Sequence, residues 1–268
     1  MEAGSSMYQH HLDSIEKMKE YFRPTEGIIA LVLGGSVAKG NERPDSDLDA
    51  LVILTPEAYA KKLAEGRTAE CVFGHCTYEG GYFDVKYMTK DYIQAAAQHG
   101  SEPTRNSFVG ARVLFSSDPE VAEILPKIGV FPLWEREDKM LSFYGNYRLN
   151  SGYFLKGCKA EGYLRLLSVG QVVYSVYRMI LQENEMLFPC NRRLEETVEA
   201  APRKPEGIVE LGRRAVATQR DEDVDAFSQA YFQWTTWHFP EDPSLPQARY
   251  TQDFEQWWYR PRPLVNEW

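Results

Sequence analysis

Gly34-Gly35-Ser36 and, after ten intervening residues, Asp47-Leu48-Asp49 are the residues whose types and spacing point to chemistry. A glycine pair directly behind an aliphatic run lets backbone approach a ligand closely, and the amides opening a following helix carry partial positive charge. Such a turn cradles an anion. Ser36 adds a hydroxyl able to donate to a phosphate oxygen, and Lys39 a positive charge one turn later. Alone, Gly-Gly-Ser would equally fit a strand-to-helix turn capped by Ser36. Asp47 and Asp49 change the reading. Two residues apart where a strand begins, their carboxylates project to one face, and two charges about 4 Å apart repel by roughly 4 kcal/mol at the effective dielectric of a protein surface. Asp84, between Phe83 and Val85, interrupts an apolar run and supplies a third acid. A divalent cation resolves the repulsion, and all-oxygen ligands suit Mg²⁺ or Mn²⁺ shared between carboxylates and substrate phosphates. A nucleoside triphosphate held there would be open to in-line attack on phosphorus.

Two other motifs fail on spacing. A P-loop needs Lys and Ser or Thr after its second glycine, but Asn41 and Glu42 follow Gly40. A calcium-binding EF-hand loop starting at Asp45 would need glycine and glutamate where Ala50 and Pro56 stand. Asp45 itself reads as a turn residue capping backbone amides.

The Gly34-Gly35-Ser36 and Asp47-Leu48-Asp49-Ala50 segments, with their gap, resemble the signature of the DNA polymerase β-like nucleotidyltransferase superfamily. The resemblance covers about residues 8 to 130. It implies an α+β fold in which a small mixed sheet with flanking helices forms the catalytic domain. It also implies Asp47 and Asp49 as metal ligands, and Asp84 as the third acid, catalytic and metal-binding, on a later strand. The second half resembles, in size and order alone, the appended helical domain of aminoglycoside and lincosamide nucleotidyltransferases, which act in antibiotic resistance.

Elements able to position these residues follow the hydrophobic pattern. Tyr8, Leu12, Ile15, Met18 and Phe22 make an apolar helical stripe that Pro24 and Gly27 stop. Ile28–Leu33 and Ala50–Leu54 are short aliphatic runs of the kind found in strands covered on both faces. Pro56–Ala64 reads as a helix, Ala69–Tyr78 and Tyr82–Met88 as a hairpin turning at Glu79-Gly80-Gly81, and Asp91–Gln98 as a helix capped by Thr89. A weak strand at Arg112–Phe115 and a helix at Pro119–Ile128 close a domain spanning residues 1–130.

Residues 131–268 read as an all-α bundle with a tail rich in aromatics and proline. From Lys139 to Glu183 there is no proline, and apolar residues recur at helical steps. Further helices fit Arg193–Ala200, Gly207–Thr218 and Asp221–Trp237. The tail, with Pro240, Pro243, Pro246, Pro261 and Pro263 among Trp257, Trp258, Tyr259 and Trp268, is expected to fold back, since exposing such rings forgoes about 1.5 to 3 kcal/mol each. Arg192 and Arg193 are candidates for triphosphate or acceptor binding, because guanidinium groups bind phosphate bidentately; solvated arginines at a helix start fit as well. Lys156, Lys159 and Arg165 read as a wet helix face. The base for an acceptor hydroxyl stays open among Asp84, Glu161 and Glu185.

Composition bounds the rest. The 268 residues, 43% hydrophobic and 26% charged, are enough for a large core and exclude a disordered or fibrous chain. A net charge of −9 argues against a surface built to coat nucleic acid, and suits a cationic small acceptor. The longest aliphatic run, Ile28–Leu33, is far short of the roughly twenty residues a membrane span needs. Met1–Ser6 lacks the basic and apolar pattern of a secretory leader, so a cytoplasmic chain with reduced cysteines is expected. The expected activity is transfer of a nucleoside monophosphate from a nucleoside triphosphate to a hydroxyl of a small molecule, releasing pyrophosphate. Transfer to a protein or RNA end and a non-catalytic nucleotide-binding module are the alternatives. Homodimer formation stays open.

Overall fold

The computed structural model of the chain describes residues 7–259, 265, 266 and 268. Met1–Ser6, and Pro261 and Pro263 of the tail, lie outside the described residues. The chain divides into two compact units: one runs to Gly100 and resumes at Thr104–Val130, the other comprises Ser101–Pro103 and the chain from Phe131 onward.

The first unit is a five-stranded mixed sheet with helices. Helix α1 (Gln9–Phe22) leads into β1 (Ile28–Leu33), the short helix α2 (Gly35–Lys39), β2 (Leu48–Leu54), α3 (Pro56–Ala64), β3 (Ala69–Phe73), β4 (Tyr82–Thr89) and α4 (Lys90–His99). After α5 (Glu102–Ser107), whose first two residues belong to the other unit, come β5 (Arg112–Ser116) and α6 (Glu120–Ile128). The sheet order is β3-β4-β2-β1-β5, with β2 and β4 parallel and every other pair antiparallel. Alternation along the central strands builds two cores. Leu31, Leu33, Leu48, Ala50, Val52, Phe83 and Val85 meet Ile15, Met18 and Phe22 of α1 on one face. On the other, Ala30, Val32, Leu51, Ile53 and Met88 meet α4 and α6 through Ile93, Ala96, Val121, Ile124 and Leu125.

Two expectations are corrected here. The buried stripe of α1 is His11, Ser14, Ile15, Met18 and Phe22, whereas Tyr8 and Leu12 are each 42% exposed. The helix is rotated because its first turns face polar groups, with Ser14 Oγ accepting from the Thr77 amide at 2.9 Å and the His10 carbonyl from Thr77 Oγ1 at 3.0 Å. The β3–β4 connection is also longer than the sequence suggests: Phe73 pairs with Tyr82, so residues 74–81 form a loop rather than a three-residue turn. Thr89 does cap α4, its hydroxyl accepting from the Tyr92 amide at 3.2 Å.

The second unit is largely helical. It contains α7 (Arg136–Arg148), a wider-wound helical stretch at Leu149–Gly157, α8 (Gly162–Glu183), α9 (Leu194–Glu199), α10 (Ile208–Thr218), α11 (Asp221–Trp234) and α12 (Ser244–Tyr250). From Ser175 to Glu183 every residue of α8 is buried, as a central helix requires. Around it lies an ionic cluster. Glu102, fully buried, accepts from Lys139 Nζ at 3.1 Å, Gln182 Nε2 at 2.7 Å and the Phe188 amide at 2.8 Å, with Arg178 at 3.5 Å. The expectation that the aromatic tail folds back holds only in part: Trp268 is buried, while Trp257, Trp258 and Tyr259 are exposed. Lys156 and Lys159 are exposed, as a wet helix face requires, while Lys156 and the half-buried Arg165 also pair with Asp225 and Asp221 of α11 at 2.8 and 2.6 Å. The four cysteines are free, and no described helix is long and apolar enough to cross a membrane.

Candidate active site

The site is built where β1 ends and β2 begins. Gly34 is extended and α2 starts immediately after it, so the first amides of that helix have no acceptor within it. Gly34, not Ser36, is the N-cap, and the Ser36 hydroxyl makes no hydrogen bond among the described residues. Gly35 adopts φ +66°, and a Cβ placed on it would lie 1.6 Å from Asp49 Oδ2. The second carboxylate of the motif therefore rests directly on the backbone of the glycine turn. Lys39 lies in the last turn of α2, one turn beyond Ser36.

β2 starts at Leu48, two residues earlier than its apolar run suggests, which places Asp49 within the strand. In the parallel β2–β4 pair Asp49 stands opposite Asp84, and Leu51 opposite Lys86. Paired positions share a sheet face. Asp84 is thus on the same face as Asp49, at the end that the α4–α6 layer leaves half-exposed, with side-chain exposures of 30% and 22%. Asp47, just before the strand, lies near the Tyr82 hydroxyl, whose pKa its charge raises.

Lys86 is the residue that sequence reasoning missed. Its ammonium lies 2.9 Å from Asp84 Oδ2 and 3.4 Å from Asp49 Oδ1. Burial pushes the Asp49 carboxyl above the usual carboxylate range, Lys86 opposes this, and the charges of Asp47 and Asp84 add to it. Burial works against the Lys86 ammonium, but Asp84 and Asp49 outweigh it and its pKa lies above the ordinary lysine value. Alternation along β4 carried the signal, since Asp84 and Lys86 are two apart.

The segment between Ser36 and Asp47 is pinned from outside the motif. His10 Nε2 donates to the Pro44 carbonyl at 2.9 Å, Tyr78 Oη donates to the Ser46 carbonyl at 2.5 Å, and Ser46 Oγ accepts from the Arg43 amide at 2.9 Å. The ring of the fully buried His11 meets that of Tyr78 edge-on. Asp45 accepts from Arg43 Nε at 3.0 Å and stays exposed. The long β3–β4 loop has its use here, because it carries Tyr78.

Gly34, Gly35, Asp47, Asp49 and Asp84 are thus brought together. Arg192 and Arg193 belong to the second unit, on the single turn Asn191–Arg193. Arg193 is held by Glu196 at 2.9 Å, and Arg192 lines a cavity of about 380 Å³ with Tyr174, Tyr177, Asn191, Leu194 and Glu195. Glu161 and Glu185 are exposed residues flanking α8 in the same unit.

Residues 15–95, which contain the glycine turn, all three aspartates and Lys86, match the family model described as nucleotidyltransferase domain. This segment is a nucleotidyltransferase domain. A crystal structure of a nucleotidyltransferase-like protein from Exiguobacterium sibiricum 255-15 is similar at 10% sequence identity, over 94% of this chain and 81% of that one, with a TM-score of 0.46. No curated protein matches the sequence. In the nucleotidyltransferase domain no three His, Cys, Asp or Glu side chains among the described residues are arranged to hold a metal ion by themselves. The donor set still suits a hard divalent ion shared with a substrate, since Mg²⁺ takes one or two carboxylates alongside phosphate oxygens. Asp47 and Asp49, acidic neighbours of which the first adds to the cost of ionising the second, fit that demand.

Proposed function

We propose that the chain transfers a nucleoside monophosphate from a nucleoside triphosphate to a hydroxyl of a small molecule, with pyrophosphate leaving and Mg²⁺ or Mn²⁺ required. The observation that carries this reading is the meeting of Gly35, Asp49 and Asp84 at one end of one sheet face. The α2 amides, the Ser36 hydroxyl and Lys39 bind triphosphate oxygens. Asp47 and Asp49 would hold the ion, which when bound neutralises charge on the phosphoryl group and orients it. Asp84 accepts the proton of the attacking hydroxyl, a role that needs a carboxylate beside the reacting phosphorus. A net charge of −9 favours a cationic acceptor, and aminoglycosides head the acceptors to screen.

The test is a screen of amino-sugar and other hydroxylated acceptors with labelled nucleoside triphosphates and Mg²⁺, read as acceptor mass. A gain of one nucleoside monophosphate that vanishes in Asp47→Asn is expected. A gain that survives that substitution would overturn the metal assignment, and label appearing only on a protein or RNA end would replace the acceptor class.

Ser36→Ala is expected to weaken triphosphate binding about ten- to a hundredfold, because a hydrogen bond to a charged group contributes about 1.5 to 3 kcal/mol. Its melting temperature should not change, since the hydroxyl serves no cap. Calorimetric titration with nucleotide decides it, and unaltered affinity would remove Ser36 from the site.

A further inference from the structure

Lys86 has a place in the site that the motif does not give it. It lies two residues beyond Asp84 on the same rigid strand, and its partner position on β2 is the apolar Leu51. The ammonium spans Asp84 and Asp49, at 2.9 and 3.4 Å, with a side chain 45% exposed. Paired-ion sites that clamp a phosphoryl group hold their two ions about 3.5 to 4 Å apart. With three acids available, a second ion would have to draw on Asp84 together with one of the other two. The Lys86 ammonium already joins Asp84 to Asp49. It also cancels one of the three negative charges, leaving what a single divalent ion balances.

We propose that Lys86 stands in for one ion of such a pair: the chain binds one divalent ion, on Asp47 and Asp49, and Asp84 is a proton acceptor held by Lys86 rather than an ion ligand. This deepens the function proposed above and rests on it. A fixed ammonium supplies half the charge of a divalent ion, requires no ion from solution, and cannot be shared with the departing pyrophosphate.

The experiment is electron paramagnetic resonance of Mn²⁺ titrated into the full chain with a mixture of non-hydrolysable α,β-methylene nucleoside triphosphates. One Mn²⁺ per chain with an uncoupled spectrum is expected for the wild type. Lys86→Met, which keeps the stem without the charge, is expected to take up a second Mn²⁺ and to show spin coupling between the two. A coupled pair in the wild type would overturn this inference and leave the functional reading standing, whereas no bound Mn²⁺ would overturn both. A folded Lys86→Met still limited to one ion would also overturn it. The wild-type count decides the matter if the variant fails to fold.

Discussion

Asn in place of Asp49 is expected to lower kcat for nucleotidyl transfer by about a thousandfold, or ~4 kcal/mol of transition-state stabilisation, in a chain that stays folded. The carboxylate occupies the crossing point of the site, lying on Gly35, opposite Asp84 and within the field of Asp47. A carboxamide of the same shape keeps those contacts but loses the charge that holds an ion. The same exchange relieves repulsion between acids, and the one favourable ion contact it gives up, to Lys86, is long at 3.4 Å. The melting temperature should therefore hold or rise, the usual trade between stability and activity at a charged site. Steady-state transfer and a thermal melt on one preparation check both halves. Near-normal turnover would dismiss Asp49 as a ligand.

The second large effect is geometric. Gly35 opens and Gly40 caps the same short helix, with φ of +66° and +73°, so alanine at either should cost about 1 to 2 kcal/mol of stability through its left-handed backbone. They differ in what the new methyl group meets: Asp49 Oδ2 at 1.6 Å from the one, nothing within 4 Å of the other. Gly35→Ala must displace the Asp49 carboxylate, and a shift of about an ångström in a catalytic group can cost a hundredfold in rate. Gly35→Ala is expected to lose at least that much transfer activity while Gly40→Ala keeps it, with similar drops in melting temperature. Equal activity loss in the two would show that α2 matters as a helix and not as the seat of Asp49.

What could be read from the chain was what short-range chemistry decides. The strand Ile28–Leu33, the helix Pro56–Ala64 with Pro56 at its start and the Thr89 cap all depend on neighbouring residues, and all appear in the structure. The glycine turn and the aspartates were legible because their spacing is a local matter too. The rotation of α1 was not. Hydrophobicity favours burying Leu12, yet His11 is buried, because a loop more than sixty residues away brings Thr77 and Tyr78 against that helix. Gly80 and Gly81 suggested a tight turn for the same reason in reverse: nothing near them shows that Tyr78 is needed to hold Ser46. Lys86 was hidden by its own ordinariness, since a lysine on a strand acquires meaning only once β2 is laid parallel to β4.

Glu102 has a bearing on how the molecule can be cut. Although it precedes Val130 in the chain, it is counted with the helical unit, and its carboxylate serves Lys139, Arg178 and Gln182. A recombinant C-terminal fragment starting at Phe131 would deprive the fully enclosed Arg178 of its acid, leaving it the Tyr174 hydroxyl and the Trp268 carbonyl, and removing one partner of a buried charge pair costs up to about 3 to 5 kcal/mol. Lys139 would lose one of its two acids, keeping Glu135 and the Trp268 ring among the described residues. Severing the polypeptide at the covalent midpoint is therefore the wrong dissection: a soluble helical half calls for a start upstream of Ser101, or for Arg178 to be replaced by an apolar residue of similar volume.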